Sequence, residues 1–383
     1  MMSFDLTKEQ EMLRKTVREF AEKEIKPKAI ELDDKEEFSV DLVLKMGKLG
    51  LFGMFVDEKY GGTNMGYLSY VIAVEEIARV DGSAAATVAA GNSLGIGPIY
   101  YFGSEEQKRT FLPKLCAGEA LAGFGLTESG AGSDAGGTKT NAKLDNGEWV
   151  INGSKIFITN SANPLTSVVT IQAVTGVSEH GRKEYSCILV PSGSAGFTYE
   201  EMHGKMMWRS SNTGALYFDD CRVPERNLLG RRGEGFRQML KTLDGGRLSI
   251  AAMGLGGAQG AFDLALKYSQ ERVQFGRPIC KNQAIAFKLA DMATKIEAAR
   301  NLLYKACWLR ENKRAFSKEA AMAKLYCSEI MRFVASESVQ IHGGYGLMKD
   351  YHVERYFRDQ KLLEIGEGTS EVQRIVISRH LGL

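Results

Sequence analysis

The hydrophobic periodicity of the chain changes twice along its length, and this change constrains the fold most. From Leu6 to about Ala120, and again from about Gly235 onward, apolar residues recur with the three-to-four-residue spacing of helices. Between about Leu121 and Pro224, short runs of β-forming residues alternate with turn dipeptides. Because each period suits only one kind of element, the pattern predicts helical, β and helical regions in that order.

This order predicts an α+β fold that is mainly helical. We expect an N-terminal helical domain over residues 1–120, a middle antiparallel, β-barrel-like domain over 121–230, and a C-terminal helix bundle over 231–383. A chain of 383 residues agrees with two or three domains, at roughly 150 residues per domain.

Two kinds of local signal support these regions. Thr7 with Gln10 has the spacing of a capping box, which predicts a helix start. Two Asn-Gly dipeptides, at 146–147 and 152–153, lie on either side of the run EWVI. Because Asn-Gly is the commonest two-residue hairpin turn, both dipeptides predict β-turns.

Charge and hydropathy exclude several classes of protein. A net charge of +2 gives no general attraction to nucleic acid or to an anionic membrane. No apolar run reaches the roughly 18 to 20 residues that span a bilayer. The first residues carry charge from the fifth position and lack the apolar segment of a signal peptide. We therefore expect a cytoplasmic protein that binds neither nucleic acid nor membrane.

The cysteines and histidines do not have the spacing of a metal site. The six cysteines are scattered, without a paired motif or a close histidine. The five histidines show no ligand spacing, and His180 and His203 fall in polar, loop-like surroundings. This distribution disfavours a zinc site, a disulfide framework and a metal enzyme.

Glycine and hydroxyl residues are concentrated in the segment FGLTESGAGSDAGGTKT, residues 124–140. Small residues let the main chain approach a ligand, so such a loop offers backbone N–H donors to an anionic or heterocyclic group. Alone, the segment is more typical of a plain loop. It matches neither the dinucleotide fingerprint after a strand nor the P-loop, which disfavours nicotinamide and P-loop enzymes.

Four further segments follow in the C-terminal region: LDGGRLSIAA, ERVQFGRPI, SVQIHGGYG and LLEIGEGTSEVQR. Singly, each is more typical of a cap, a turn or a charged surface. The last segment is unusual because it places Glu367 between Gly366 and Gly368. A carboxylate held between two glycines is either a helix-start residue or a base.

Taken in order with FGLTESGAGSD, NGSKIFITN and VPERNLLG, these segments resemble the acyl-CoA dehydrogenase family over essentially the whole chain, in particular its bacterial short-chain, butyryl-CoA type. The resemblance implies an N-terminal helical domain, a middle β-domain and a C-terminal four-helix bundle, with FAD bound between them. It also implies a homo-oligomer, usually a tetramer.

The resemblance assigns fifteen residues to the flavin, its pyrophosphate and its adenosine, in part across a subunit boundary. These FAD residues are Phe124, Leu126, Thr127, Ser133, Phe157, Thr159, Arg272, Gln274, Phe275, Gln283, Gln340, Gly343, Gly344, Thr369 and Glu371. It assigns to the acyl-CoA substrate Ser133, Asp244, Arg247, Gly366 and Gly368.

Glu367 matches the catalytic base of the family. The α-proton of a thioester is weakly acidic, so its removal needs a desolvated carboxylate and donors for the developing enolate oxygen. In the implied mechanism Glu367 takes the α-proton, hydride leaves the β-carbon for flavin N5, and the Glu367 N–H and a ribityl hydroxyl bind the thioester oxygen. Burial is expected to raise the pKa of this carboxylate.

Two positions depart from relatives in the family. Some relatives place the base just before the family arginine, where this chain has Gly246, so that placement is rejected. The family often has tyrosine where this chain has Gly366. We hypothesise that Gly366 widens the acyl pocket for branched, alicyclic or aromatic acyl groups. In the alternative, Trp208 or Tyr345 fills the space and the substrate is an ordinary short-chain acyl-CoA.

Three functions follow from the resemblance. The favoured one is FAD-dependent dehydrogenation of an acyl-CoA to the 2-enoyl-CoA, with electron-transferring flavoprotein as acceptor. An acyl-CoA oxidase would use the same base but pass electrons to oxygen. A catalytically silent, acyl-CoA-binding assembly protein is the alternative from a different class.

Overall fold

The computed structural model describes residues 5–177 and 181–383. The first four residues and His180 lie outside these ranges. Within them, no helix combines the length and apolar character needed to cross a membrane. The same ranges contain no group of three or more His, Cys, Asp or Glu side chains arranged to hold a metal ion.

Helices make up both ends of the chain, and two short π-helical turns, Ala21–Ile25 and Gly91–Ile96, interrupt those of the N-terminal part. The helices are α1 (Lys8–Phe20), α2 (Lys26–Lys35), α3 (Val40–Lys48), α4 (Tyr67–Ala78), α5 (Gly82–Ala90), α6 (Gly97–Phe102), α7 (Glu105–Cys116), α8 (Gly235–Glu271), α9 (Gln283–Glu311), α10 (Ser317–His342), α11 (Val353–Ile365) and α12 (Ser370–His380).

The strands lie mainly in the middle of the chain. They are β1 (Leu121–Gly125), β2 (Asn141–Asp145), β3 (Glu148–Thr159), β4 (Thr166–Val177), β5 (Lys183–Pro191), β6 (Phe197–Glu201), β7 (Thr213–Pro224), β8 (Leu228–Leu229), β9 (Val273–Gln274) and β10 (Arg277–Pro278). The predicted fold class, a mainly helical α+β protein with a β-region between two helical regions, is confirmed.

The start of α1 has the predicted capping box. Thr7 Oγ1 accepts a hydrogen bond from the Gln10 N–H at 3.2 Å, and Gln10 Oε1 accepts one from the Thr7 N–H at 3.0 Å. These two bonds satisfy donors that a helix start leaves unpaired. The local prediction is therefore confirmed.

The main sheet follows the strand order β6-β7-β3-β2-β4-β5-β8, with β1 beside β4. Most neighbouring strands are antiparallel, but β1 runs parallel to β4. Strand β2 also pairs with β4 in parallel, at Asn141 and Val174, so the sheet is mixed on both of these sides of β4. The dipeptide at 146–147 forms the turn between β2 and β3 as predicted, and both of its residues have positive φ, as a type I′ turn requires.

The second predicted turn, at 152–153, is wrong. Asn152 and Gly153 lie inside β3, at a bulge in its pairing with β7. Asn152 Nδ2 donates to Asp220 Oδ1 at 2.9 Å, and Asn152 Oδ1 accepts from the Asp220 N–H at 2.9 Å. A Cβ on Gly153 would lie 2.6 Å from Thr140 Oγ1, so this glycine serves close packing within the sheet.

Helix α4 joins the N-terminal helices to the C-terminal bundle. All but one of its twelve residues are buried, because α1, α8 and α9 pack around it. Glycines on α8 allow this close approach: a Cβ on Gly256 would lie 2.1 Å from Glu75 O, and one on Gly260 would lie 2.1 Å from Arg79 O. Helix α8 is therefore packed closely against the N-terminal helices at these two glycines.

A buried ion pair attaches the loop after β1 to the sheet. Lys155 Nζ on β3 donates to Glu128 Oε1 at 2.7 Å and to Leu126 O at 3.2 Å. Burial favours the neutral carboxyl, but hydrogen bonds from Lys155 and from two backbone N–H groups lower the pKa of Glu128 overall. The pair thus holds the loop that carries several predicted FAD residues.

Replacement of Glu128 by Gln is expected to destabilise the protein, because it leaves the Lys155 ammonium buried without a counter-charge. Loss of one partner of a buried pair lowers the free energy of unfolding by about 3 to 5 kcal/mol, measurable by urea denaturation. The double variant Glu128→Gln, Lys155→Met is the control and should lose less, since both charges are removed. A single variant as stable as the native protein would contradict this account.

Candidate active site

The segment between α11 and α12 makes a tight turn, in which two residues have left-handed backbone dihedral angles. Gly366 is extended, with φ −65° and ψ 150°, whereas Glu367 has φ 52° and Gly368 has φ 91°. Thr369 then begins α12 and accepts a hydrogen bond from the Val372 N–H at 3.2 Å. Positive φ is uncommon for a residue with a side chain, so surrounding contacts must hold Glu367 in place.

The side chain of Glu367 points onto α8 at Gly246. A Cβ built on Gly246 would lie 1.7 Å from Glu367 Oε2, so the carboxylate occupies the volume of a side chain at position 246. Glu367 Oε2 is buried and has no hydrogen-bond partner within the described ranges. A buried carboxylate oxygen without a partner is costly, and such groups occur at catalytic sites.

Burial raises the pKa of Glu367 to about 7, although the charges of Lys324 and Arg247 favour its ionised form. Burial likewise lowers the pKa of Lys324 to about 8, against the attraction of Glu367. The two opposite shifts have one cause, since the same apolar surroundings penalise both charged forms. A carboxylate that titrates near pH 7 is suited to general base catalysis.

The predicted substrate pair on α8 lies beside this carboxylate. Arg247 Nη1 donates to Asp244 Oδ1 at 2.5 Å, and Ser317 Oγ donates to the same oxygen at 3.0 Å. Arg247 is buried and its Nε has no partner in the described structure. The structure thus pairs Asp244 with Arg247, and the charge of Arg247 favours the ionised form of Glu367.

The loop after β1 lies next to the end of β3. The Ile156 N–H donates to Thr127 O at 3.0 Å, which places Thr127 next to the residue that precedes Phe157. Phe124 and Leu126 are buried beneath the loop, whereas Ser133 is exposed. Phe157 has φ 62° and is 64% exposed, so its ring offers an open apolar face to a planar ligand.

A second group of predicted residues lines a cleft of about 640 Å³. Arg272 and Gln274 form part of its wall, together with Gly343 and Gly344. The Arg272 guanidinium lies 5.4 Å from the centre of the Tyr345 ring and has no ion pair with a described carboxylate. The cleft thus combines an uncompensated cation with accessible backbone.

Some of the predicted FAD residues lie neither beside the loop after β1 nor in the lining of the cleft. Phe275 is 99% exposed with φ 52°, and Gln283 and Gln340 are exposed outside the lining of the cleft. Glu371 is exposed on the first turn of α12, and the Thr369 hydroxyl caps that helix. Their assignment to FAD stays a prediction.

Two residues near the base were missed from the sequence. Lys324 Nζ and Gln373 Nε2 both donate to Gly368 O, each at 2.8 Å. Lys324 lies on the apolar stripe of α10, one turn from Ala320 and Ser328, which are also buried. A lysine is rarely buried without a partner, so a lysine on the apolar stripe of a helix indicates a buried polar contact.

The residues present fit FAD. Nothing lies within 4 Å of a Cβ built on Gly343 or Gly344, so backbone in the cleft is open to a diphosphate, and Arg272 supplies a cation there. The exposed ring of Phe157 suits a planar heterocycle. The buried oxygen of Glu367 leaves a reacting position for a second molecule.

Family models match the chain in three consecutive parts. The N-terminal, middle and C-terminal domain models of acyl-CoA dehydrogenases match residues 7–119, 123–221 and 233–382 respectively. A probable acyl-CoA dehydrogenase of Bacillus subtilis is 52% identical over 99% of this chain and 100% of its own length.

Solved structures agree with these matches. Butyryl-CoA dehydrogenase from Megasphaera elsdenii is 42% identical, with a TM-score of 0.96 and full coverage of both chains. A chain from a study of the electron transferring flavoprotein of Acidaminococcus fermentans is 45% identical, with a TM-score of 0.96 over 99% of both chains.

Other solved relatives contain FAD or FADH2. The resemblance and the cofactor predicted from the sequence are thereby confirmed. The chain belongs to the acyl-CoA dehydrogenase family of FAD-dependent oxidoreductases.

Proposed function

We propose that this enzyme oxidises the Cα–Cβ bond of an acyl-CoA thioester to give the 2-enoyl-CoA, with Glu367 as the base that removes the α-proton. The observation that carries this proposal is the buried Glu367 Oε2, which has no partner and a carboxyl pKa near 7. FAD, when bound, supplies the acceptor for the hydride of the β-carbon, through flavin N5.

Glu367 has two groups to offer a thioester. Its ionised carboxylate accepts the α-proton at an oxygen that no described group occupies. Its backbone N–H donates to no other group in the described chain, and it is therefore open to the thioester oxygen as negative charge develops there. The left-handed turn holds both groups, and glycine at position 368 suits its φ of 91° and the close approach of Gln373 Nε2, 2.9 Å from a Cβ built there.

The other predicted site residues have supporting roles in this proposal. Asp244 and Arg247, with Ser133, contact the thioester side of the substrate. Phe157 and Thr159, with the loop of Phe124, Leu126, Thr127 and Ser133, cover the flavin. The cleft residues Arg272, Gln274, Gly343 and Gly344 hold the pyrophosphate and adenosine, together with Phe275, Gln283, Gln340, Thr369 and Glu371.

We propose electron-transferring flavoprotein as the electron acceptor and a homotetramer as the assembly. The likeness to a chain solved in the study of that flavoprotein supports the acceptor. The fully exposed ring of Phe275 supports contact with a second copy of the chain, which would complete the adenosine end of the FAD site. Stoichiometric hydrogen peroxide during turnover in air would favour an acyl-CoA oxidase instead.

Gly366 supports a wider acyl pocket than a tyrosine at this position would leave. Its φ of −65° and ψ of 150° are open to any L-residue, so the backbone does not require glycine. The three nearest atoms to a Cβ built there all belong to Leu362, at 3.3, 3.6 and 3.7 Å. The missing side chain therefore leaves space next to the base, and we propose that branched or cyclic acyl groups use it.

The two aromatic residues considered as substitutes for that side chain have other partners. A Cβ on Gly82 would lie 2.8 Å from Trp208 Nε1, so the indole packs against α5, and the backbone N–H of Trp208 donates to Asp359 Oδ1 at 2.9 Å. Tyr345 packs against Tyr351 and Arg272 in the cleft. These contacts support a space that stays open to substrate.

The variant Glu367→Gln tests the base. It keeps the size of the side chain but removes the proton acceptor, so we expect the purified protein to stay yellow. Anaerobic bleaching of its flavin by butyryl-CoA should slow by about 10²- to 10⁴-fold, the range expected for loss of a general base. Bleaching at the native rate would exclude Glu367 as the base.

The variant Gly366→Tyr tests the acyl pocket. A ring beside the reacting carbons should reduce kcat/KM for isobutyryl-CoA and cyclohexanecarbonyl-CoA by at least about tenfold, but leave butyryl-CoA within about threefold, since steric exclusion in a pocket amounts to 1–3 kcal/mol. Gly366→Ala is the matched control with little added volume. Equal effects on all three substrates would contradict the pocket proposal but would not bear on the proposed role of Glu367 as the base.

A further inference from the structure

The carbonyl oxygen of Gly368 receives hydrogen bonds from two different helices. Lys324 Nζ on α10 and Gln373 Nε2 on α12 each lie 2.8 Å from it. Both side chains are completely buried. The turn that presents Glu367 is thus fixed from two sides, by one charged donor and one neutral donor.

The charge of Lys324 is unusual at this place. A buried ammonium loses its hydration, and in the described structure Lys324 has no ion pair with a carboxylate. A neutral amide would satisfy the Gly368 carbonyl equally well, as Gln373 already does. The hydrogen bond alone therefore does not account for a lysine at this position.

The nearby charges leave Glu367 as the acid that lacks a partner. Arg247 on α8 has Asp244 as its own counter-ion. Glu364 on α11 pairs with Arg332 at 3.5 Å and with Lys361 at 2.8 Å. Glu371 on α12 is solvent-exposed, and Tyr70 on α4 is a neutral phenol whose hydroxyl donates to Ala89 O.

We propose that Lys324 is a positioning residue for the base: its ammonium holds the turn through the carbonyl of Gly368, the residue after Glu367, and its charge favours the ionised, proton-accepting form of the Glu367 carboxylate. This inference rests on the proposed role of Glu367. Gln373 shares the first task but not the second, because it carries no charge. The two residues therefore form a natural pair for separating geometry from electrostatics.

The direction of the pH effect follows from the charges. The base acts only when it is ionised, so the rate falls as the pH drops through the pKa of Glu367, which burial raises to about 7. An adjacent cation favours the ionised carboxylate, and its removal raises that pKa further. The acid limb of the pH profile should therefore move to higher pH when Lys324 loses its charge.

The matched variants Lys324→Met and Gln373→Met each remove one donor to Gly368 and differ in charge. In the FAD-loaded enzyme with butyryl-CoA, Lys324→Met should move the acid limb of kcat/KM upward by about one pH unit or more. Gln373→Met should lower kcat without moving the limb. Flavin content and Tm report whether each variant is folded.

An infrared titration measures the base itself in the resting enzyme. The C=O band of the protonated carboxyl, identified as the band that Glu367→Gln loses, should appear at higher pH in Lys324→Met than in the native protein or in Gln373→Met. Lys324→Arg keeps the cation and should restore the native titration. If Lys324→Met does not fold, Lys324→Gln replaces it in the same comparison.

The inference is overturned if Lys324→Met keeps both the native titration of the Glu367 carboxyl and the native acid limb of kcat/KM. It is also overturned if the acid limb of Lys324→Arg matches that of Lys324→Met. Either result assigns Lys324 a structural role alone. Failure of the proposed function is distinguishable, because it appears as activity in Glu367→Gln, whatever residue stands at position 324.

Discussion

The contact between the Glu367 carboxylate and Gly246 is the constraint on which the site depends. Helix α8 has no side chain at this point, and the carboxylate fills the vacant volume, 1.7 Å from where a Cβ would lie. The contact needs α8 fixed against α4, and it needs the turn after α11 held in the left-handed region. The packing of distant helices thereby determines where one carboxylate oxygen lies.

Electrostatics adds a second constraint at the same place. Glu367 and Lys324 carry opposite charges in an interior that disfavours both, and burial moves the pKa of each toward neutrality. Each group favours the charged form of the other, which opposes the effect of burial on both pKa values. A carboxylate with these properties takes up a proton near neutral pH, which an exposed glutamate would not do.

Local sequence signals predicted local structure well. The capping box at Thr7 and the Asn-Gly turn at 146–147 depend on neighbouring residues alone. Asn152 was assigned to a turn wrongly, because its side chain binds Asp220 on a strand 68 residues away. Lys324 was missed because lysines on helices are usually solvated, and only the packed structure places it against Gly368. The resemblance predicted the cofactor, which the solved relatives confirm, whereas the roles of Glu367 and of the individual FAD residues stay predictions.

Exchange of the substrate α-proton with solvent deuterium, followed by mass spectrometry, tests the central claim most directly. The variant Gly246→Ala adds one methyl group and raises helix propensity, so α8 should remain intact. The account predicts that the displaced carboxylate exchanges the α-proton of butyryl-CoA at least about 100-fold more slowly, with flavin still bound. Exchange at the native rate would contradict the claim that the contact at Gly246 places the base.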